Sequence, residues 1–196
     1  ALATKKVGMT RTEILQATKL TDNGKLTEYL ENLEYCGFIR KYNCIGMKAK
    51  NALFQLMDNY TLFYYKFIKD SYINDAQYWT KITGKPVYNT WCGLAFARVC
   101  LQHVEQIKTK LDIQGVITTV YSWSVAGSKD KPGAQIDLLI DRSDDVINLC
   151  EIKYSKAPFQ ITNTIDASLQ NKRERFIQET GTEKAVHLTM ITTMGL

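Results

Sequence analysis

Two carboxylates and a lysine lie on two predicted strands at positions where they could act together. Both strands are otherwise apolar: Gln135-Ile136-Asp137-Leu138-Leu139-Ile140 and Asn148-Leu149-Cys150-Glu151-Ile152-Lys153. Alternation along a strand places Gln135 and Asp137 on one face of the first strand, and Glu151 and Lys153 on one face of the second. If the hairpin is symmetric about Asp144, Asp137 faces Glu151 and Gln135 faces Lys153.

This arrangement predicts a metal site, because two carboxylates directly opposite each other destabilise a sheet unless something neutralises them. The hard cations Mg²⁺ and Mn²⁺ take carboxylate and carbonyl oxygens. Such an ion could polarise a phosphoryl oxygen and lower the pKa of a bound water, while Lys153 orients that water or stabilises developing negative charge. The alternative is a hairpin with charges on its wet face, where Lys153 only neutralises the acids. The apolar surroundings favour the first interpretation.

The elements around these strands alternate between helix and strand. Apolar periodicity predicts a long helix over residues 90–110, strands over 116–121, 135–140 and 146–153, a helix over 166–180 and a final strand over 185–192. Because the last helix lies between two strands of one sheet, it is a crossover connection. The second half is therefore predicted to be an α/β core with a mixed sheet.

The first half shows a different layout. A capping box at Thr10 and Glu13 begins a short helix, and Thr21 or Asp22 begins a second one that buries Leu26, Leu30 and Leu33. Two strands follow, which completes a winged helix over residues 1–58. The aromatic-rich residues 59–86 are predicted to form a helical connector, and residues 87–196 the second domain, so the class is α/β (α+β overall).

The chain resembles the PD-(D/E)xK nucleases of the restriction-endonuclease-like superfamily. The resemblance is carried by Gly133-Ala134-Gln135-Ile136-Asp137 and Cys150-Glu151-Ile152-Lys153, which match the two halves of that motif. The whole chain also resembles the C-terminal region of prokaryotic AAA+-type ATPases, in which a P-loop ATPase module precedes a winged helix and a nuclease-like domain. The chain is therefore expected to be a fragment whose partner is the ATPase module of the same polypeptide.

The resemblance implies roles for individual residues. Asp137, Glu151 and the backbone carbonyl of Ile152 would be ligands of Mg²⁺ or Mn²⁺, Lys153 would be the catalytic lysine, and Gln135 a supporting polar contact. Family members usually carry a Glu on the first helix of the domain, where this chain has Ala97. The missing acid puts metal affinity and turnover in doubt.

The basic residues are divided unevenly along the chain. Residues 1–86 carry 13 Lys and Arg against 8 Asp and Glu, whereas residues 87–196 carry 12 of each. The outward face of the second predicted helix nevertheless displays Glu28, Glu31 and Glu34, which would repel DNA phosphates. Docking toward the rest of the polypeptide is therefore favoured for the winged helix over reading of a DNA sequence, and non-specific contact through the wing stays open.

Five basic residues of the second half are candidate phosphate contacts. Lys129 and Lys131 precede the Asp137 strand, and Lys172, Arg173 and Arg175 lie on the predicted crossover helix. Charged side chains on a helix face are usually only solvated, and solvation is favoured over phosphate contact for these five residues.

Composition excludes several classes of protein. No apolar run approaches the roughly 18 residues of a membrane span, and the five cysteines contain no C-x-x-C pair. Reduced thiols and a cytoplasmic location without membrane contact are expected. The leading hypothesis is a metal-dependent nuclease-like domain that binds and hydrolyses DNA phosphodiesters, and the alternative is a catalytically inactive nuclease-like fold that regulates the ATPase or binds a protein.

Overall fold

A computed structural model of the chain describes residues 1–69, 75–128 and 132–196. The chain divides into two compact units, Ala1–Thr83 and Gly84–Leu196. The division falls inside the predicted connector, close to the predicted start of the second domain at residue 87. Both units contain helices and strands, and the predicted fold class, α/β with a mixed sheet, is confirmed.

In the first unit, two helices precede a two-stranded antiparallel ribbon, which is the element order expected for a winged helix. Its three strands form an antiparallel sheet in the order β1-β3-β2. The elements are β1 Met9–Thr10, α1 Arg11–Thr18, α2 Gly24–Tyr35, β2 Ile39–Tyr42, β3 Leu53–Leu56, α3 Asn59–Phe63 and α4 Tyr78–Ile82, with short 3-10 helices at Leu2–Thr4 and Ala49–Asn51 and a π-helical segment at Tyr64–Ile68.

Local hydrogen bonds explain where the helices of this unit begin. The capping box of α1 forms as predicted, because the Thr10 side chain accepts from the Glu13 N–H and the Glu13 carboxylate accepts from the Thr10 N–H. The predicted cap of α2 is wrong: Asn23 caps this helix and accepts from the Leu26 N–H at 3.2 Å. Leu33 is 40% exposed rather than buried, because the core on this side ends with Leu26 and Leu30.

The second unit is a four-stranded mixed sheet with helices. Its strands lie in the order β4-β5-β6-β7; the first two pairings are antiparallel and β6–β7 is parallel, with α7 as the crossover. The elements are α5 Pro86–Gln102, α6 Val104–Lys110, β4 Thr118–Val125, β5 Ala134–Arg142, β6 Val146–Lys153, α7 Asn163–Thr180 and β7 Ala185–Thr192.

The register of the β5–β6 hairpin agrees with the symmetric register predicted about Asp144. Leu138 pairs with Cys150, and Ile140 with Asn148. The middle of the hairpin is fully buried, with Leu138 and Leu149 at 0% exposure. The hairpin is therefore a rigid support for the side chains just beyond its paired region.

The predicted single helix over residues 90–110 is wrong, because the structure has two helices that meet at His103. The His103 backbone leaves the helical region, with φ −116°, and its ring Nδ1 lies 2.8 Å from the Val99 oxygen. This side chain competes locally for a carbonyl that would otherwise belong to the helix alone. Within the described ranges, no helix is long and apolar enough to cross a bilayer.

Candidate active site

The sheet of the second unit opens between β5 and β6. Their ladder ends at the pair Leu138–Cys150, yet β5 continues its pairing with β4 as far as Ala134, and β6 continues with β7 as far as Lys153. Asp137 and Glu151 are the first residues beyond the last pair. The hairpin pairing thus stops one residue short of the predicted contact, and the two acids lie where the strands separate.

Glu151 is held by two lysines from different elements. The Glu151 side chain is 11% exposed, and its Oε1 lies 2.9 Å from Lys153 Nζ while its Oε2 lies 2.7 Å from Lys172 Nζ. Burial by itself raises the pKa of Glu151, but hydrogen bonds and charge from Lys153 and Lys172 outweigh burial and hold this pKa below its ordinary value. Glu151 is therefore an anion at neutral pH, with an ammonium group at each oxygen.

Asp137 has a different set of neighbours. Gln135 Nε2 donates to Asp137 Oδ1 at 2.5 Å, so the predicted supporting residue contacts Asp137. Arg98, on α5, is 5% exposed and donates to the Leu94 oxygen at 3.1 Å. Burial lowers the pKa of Arg98, and the negative charge of Asp137 opposes this shift. Arg98 and Asp137 are thus electrostatically linked inside the unit.

Arg98 is a site residue that the sequence reasoning missed. It directly follows Ala97, the half-buried position where related domains were expected to carry a Glu. In the sequence, Arg98 is a charged residue within the largely apolar stretch 91–101, which could have indicated a functional role. An arginine on the exposed face of the helix would give the same pattern.

Cationic groups of the protein itself compensate the carboxylates of the site. Lys153 and Lys172 contact Glu151, and Arg98 interacts with Asp137 through charge. Part of the alternative interpretation therefore agrees with the structure, because Lys153 does neutralise Glu151. The two carboxylates no longer require a cation to lie near each other.

The donor types at this site still fit a divalent cation. Carboxylate oxygens from Asp137 and Glu151 and the backbone oxygen of Ile152 are hard ligands that Mg²⁺ and Mn²⁺ prefer. Over the described part of the chain, no group of three or more His, Cys, Asp or Glu side chains is placed so that it could hold a metal ion. Ala97 adds no oxygen, so waters would complete the coordination.

The cysteine nearest the candidate site is not a nucleophile. Cys150 is 1% exposed, and burial raises the pKa of its thiol to about 12. Burial likewise raises the pKa of Cys100 to about 11. Since the thiolate is the reactive form, both side chains act as packing groups at neutral pH.

The predicted phosphate contacts on α7 have separate partners. Lys172 reaches the candidate site, whereas Arg173 Nε donates to the Val186 oxygen at 2.9 Å. Arg175 is 8% exposed; its guanidinium donates to the oxygens of Pro132 and Ala126 and to Glu179. Two further predicted contacts, Lys129 and Lys131, lie outside the described residues.

Arg175 is expected to stabilise the second unit. Replacing Arg175 with Met removes donors from two carbonyl oxygens at either end of the β4–β5 connection, and we expect it to lower the free energy of unfolding by about 1–3 kcal/mol. Urea unfolding followed by circular dichroism measures the change. Lys110→Met, at an exposed position of α6, is the control; equal stability of the two variants would contradict the structural role of Arg175.

In the first unit, the acidic face of α2 is exposed as predicted. Glu28, Glu31 and Glu34 all face solvent, and Glu34 Oε1 accepts from the Lys41 N–H at 3.1 Å. Lys48 and Lys50, between β2 and β3, are exposed as well. The surface charge of α2 is therefore unfavourable for the major groove, while the wing carries the basic side chains.

Comparisons with known proteins assign no activity to this arrangement. Family models, curated proteins and solved structures were searched, and none of the three comparisons gave a significant match to the chain. The functional argument rests on the side chains that surround the opening of the β5–β6 hairpin.

Proposed function

We propose that residues 84–196 form a metal-dependent nuclease-like domain that binds DNA and hydrolyses its phosphodiester bonds with Mg²⁺ or Mn²⁺. The observation that carries this proposal is the position of Asp137 and Glu151 directly beyond the last pair of β5 and β6, with Lys153 Nζ 2.9 Å from Glu151 Oε1. Two hard anionic ligands and an adjacent ammonium group at the mouth of a buried hairpin suit the chemistry of phosphodiester hydrolysis.

The residues of the site would have distinct roles. Asp137, Glu151 and the Ile152 carbonyl would hold the cation, which when bound polarises a phosphoryl oxygen and lowers the pKa of a water. Gln135 orients Asp137 through its 2.5 Å hydrogen bond. Arg98, on α5, interacts through its charge with Asp137, which opposes the lowering of the Arg98 pKa by burial. Lys153, whose side chain is 43% exposed, can turn from Glu151 to orient the water or stabilise negative charge on the phosphate.

The test is cleavage of plasmid and single-stranded DNA in the presence of Mn²⁺, with metal binding measured separately by calorimetry. Activity that depends on Mn²⁺ and on Asp137 supports the proposal. Absence of cleavage together with absence of Mn²⁺ binding, both in the unsubstituted chain and in Ala97→Glu, contradicts it.

A second candidate function is a non-catalytic module that regulates an attached ATPase or binds a protein. Two observations favour it: Ala97 supplies no carboxylate, and lysines already occupy both oxygens of Glu151. This function requires that Asp137→Asn and Lys153→Met leave partner binding intact and change stability only modestly. Loss of partner binding in both variants, without loss of folding, would argue against it.

The larger context proposed for the chain is the C-terminal part of an AAA+-type ATPase in the cytoplasm. The support is the resemblance over residues 53–68, 91–103, 133–154, 169–176 and 187–196, and five cysteines without a C-x-x-C pair. A Walker A motif upstream in the gene, where the phosphate-binding loop of the ATPase would lie, tests this assignment directly.

A further inference from the structure

Lys172 contacts a carboxylate oxygen of Glu151 that a bound metal ion would need. Its ammonium group reaches from α7 to Glu151 Oε2 at 2.7 Å, while Lys153 holds Oε1 at 2.9 Å. Glu151 is 8% exposed, so water is largely excluded from this carboxylate. A divalent cation bound to the same oxygen would lie close to the ammonium nitrogen, and because the two positive charges repel each other, cation binding favours release of the ammonium group.

Lys172 is the ammonium group better placed to leave. Lys153 lies on β6 itself, two residues from Glu151, and its nitrogen stays close to the site after turning away. Lys172 belongs to another element, and its long side chain is 23% exposed, which gives it a path to solvent at the mouth of the site. The neighbouring Arg173 and Arg175 donate to main-chain oxygens and so are fixed in place.

We infer that Lys172 is a positioning residue that exchanges between Glu151 and the substrate phosphate. In the metal-free chain it neutralises Glu151; when a cation binds Glu151, Lys172 is released and contacts a phosphate of the DNA. The inference rests on the proposed function. It adds a coupling between cation binding and DNA binding that operates through one side chain.

This exchange predicts opposite effects of one substitution on two ligands. Lys172→Met removes the competitor at Glu151 and is expected to tighten Mn²⁺ binding by about 10-fold, in the range by which neighbours of metal ligands change affinity. It also removes a phosphate contact, so DNA binding weakens and the slope of log K against log salt falls by about 1. A lysine with a purely structural role would not tighten metal binding.

The experiment measures Mn²⁺ affinity by isothermal titration calorimetry, and the affinity for a phosphorothioate DNA duplex at several salt concentrations in Mn²⁺. Lys172→Gln is a second variant in case Lys172→Met folds poorly. Lys184→Met is the matched control, because Lys184 forms a similar 2.7 Å ion pair with Asp141. The control is expected to leave both affinities unchanged.

The outcomes separate this inference from the proposed function. If the unsubstituted chain and both Lys172 variants bind Mn²⁺ equally well, the proposed exchange is wrong and the proposed metal site is supported. If none of them binds Mn²⁺, both the metal site and the exchange are wrong. Tighter Mn²⁺ binding without weaker DNA binding, or the same tightening in Lys184→Met, also overturns the exchange.

Discussion

Asp137→Asn is expected to reduce Mn²⁺-dependent DNA cleavage by a factor on the order of 100 or more, because metal-ion catalysis supplies several kcal/mol of transition-state stabilisation. The substitution keeps the shape of the side chain and removes its negative charge. Glu151 and the Ile152 carbonyl would then be the remaining protein ligands, and Arg98 would lose the anion with which it interacts. Initial rates of plasmid nicking at several Mn²⁺ concentrations measure the effect.

The matched control for this variant is Asp141→Asn. It makes the same chemical change on the same strand, but Asp141 pairs with Lys184 at 2.7 Å and belongs to the paired part of the hairpin. Its cleavage rate is expected to match that of the unsubstituted chain. Equal rates for Asp137→Asn and Asp141→Asn would show that cleavage does not use this site, and the proposed function would be wrong.

Ala97→Glu is expected to strengthen the metal site. Position 97 is half-buried on α5, directly before Arg98, and the second unit already has three cationic groups around the two acids. A third carboxylate there adds a hard oxygen ligand and offsets the positive excess. We expect Mn²⁺ affinity to rise by about 10-fold and cleavage at low Mn²⁺ to increase with it.

Thermal unfolding separates this gain from a general effect of charge. Without metal, Ala97→Glu is expected to be less stable, because a half-buried carboxylate loses hydration. Saturating Mn²⁺ should raise its melting temperature more than that of the unsubstituted chain, since a ligand that binds only the folded state stabilises it. Val99→Glu, on the same helix at a position that is 40% exposed, is the control. An identical response of both variants to Mn²⁺ would exclude a ligand role for position 97.

Local patterns in the chain were sufficient to predict most elements of the fold. The alternation of apolar residues in β5 and β6 and the short turn between them determine the hairpin register, since the turn length sets which residues pair. The capping box of α1 is likewise contained within four consecutive residues, Thr10 to Glu13. In both cases the interacting groups are close in sequence, and few alternatives compete.

Other features depend on contacts that local periodicity does not contain. The exposure of Leu33 follows from where the core of the first unit ends, and the break at His103 follows from a side chain that binds the Val99 oxygen. The cap of α2 was predicted at Thr21 or Asp22 and lies at Asn23, because all three residue types can cap a helix and only backbone geometry distinguishes them.

The amino-acid sequence by itself was sufficient to predict the candidate site: Asp137, Glu151 and Lys153 were selected because strand alternation brings alternate residues to one face. Only the tertiary structure decided which cationic side chains lie near them. Arg98 on α5 interacts through its charge with Asp137, and Lys172 on α7 contacts Glu151, across 39 and 21 positions of sequence. Such interactions depend on how helices pack on the sheet, and this packing places cationic side chains beside the two carboxylates.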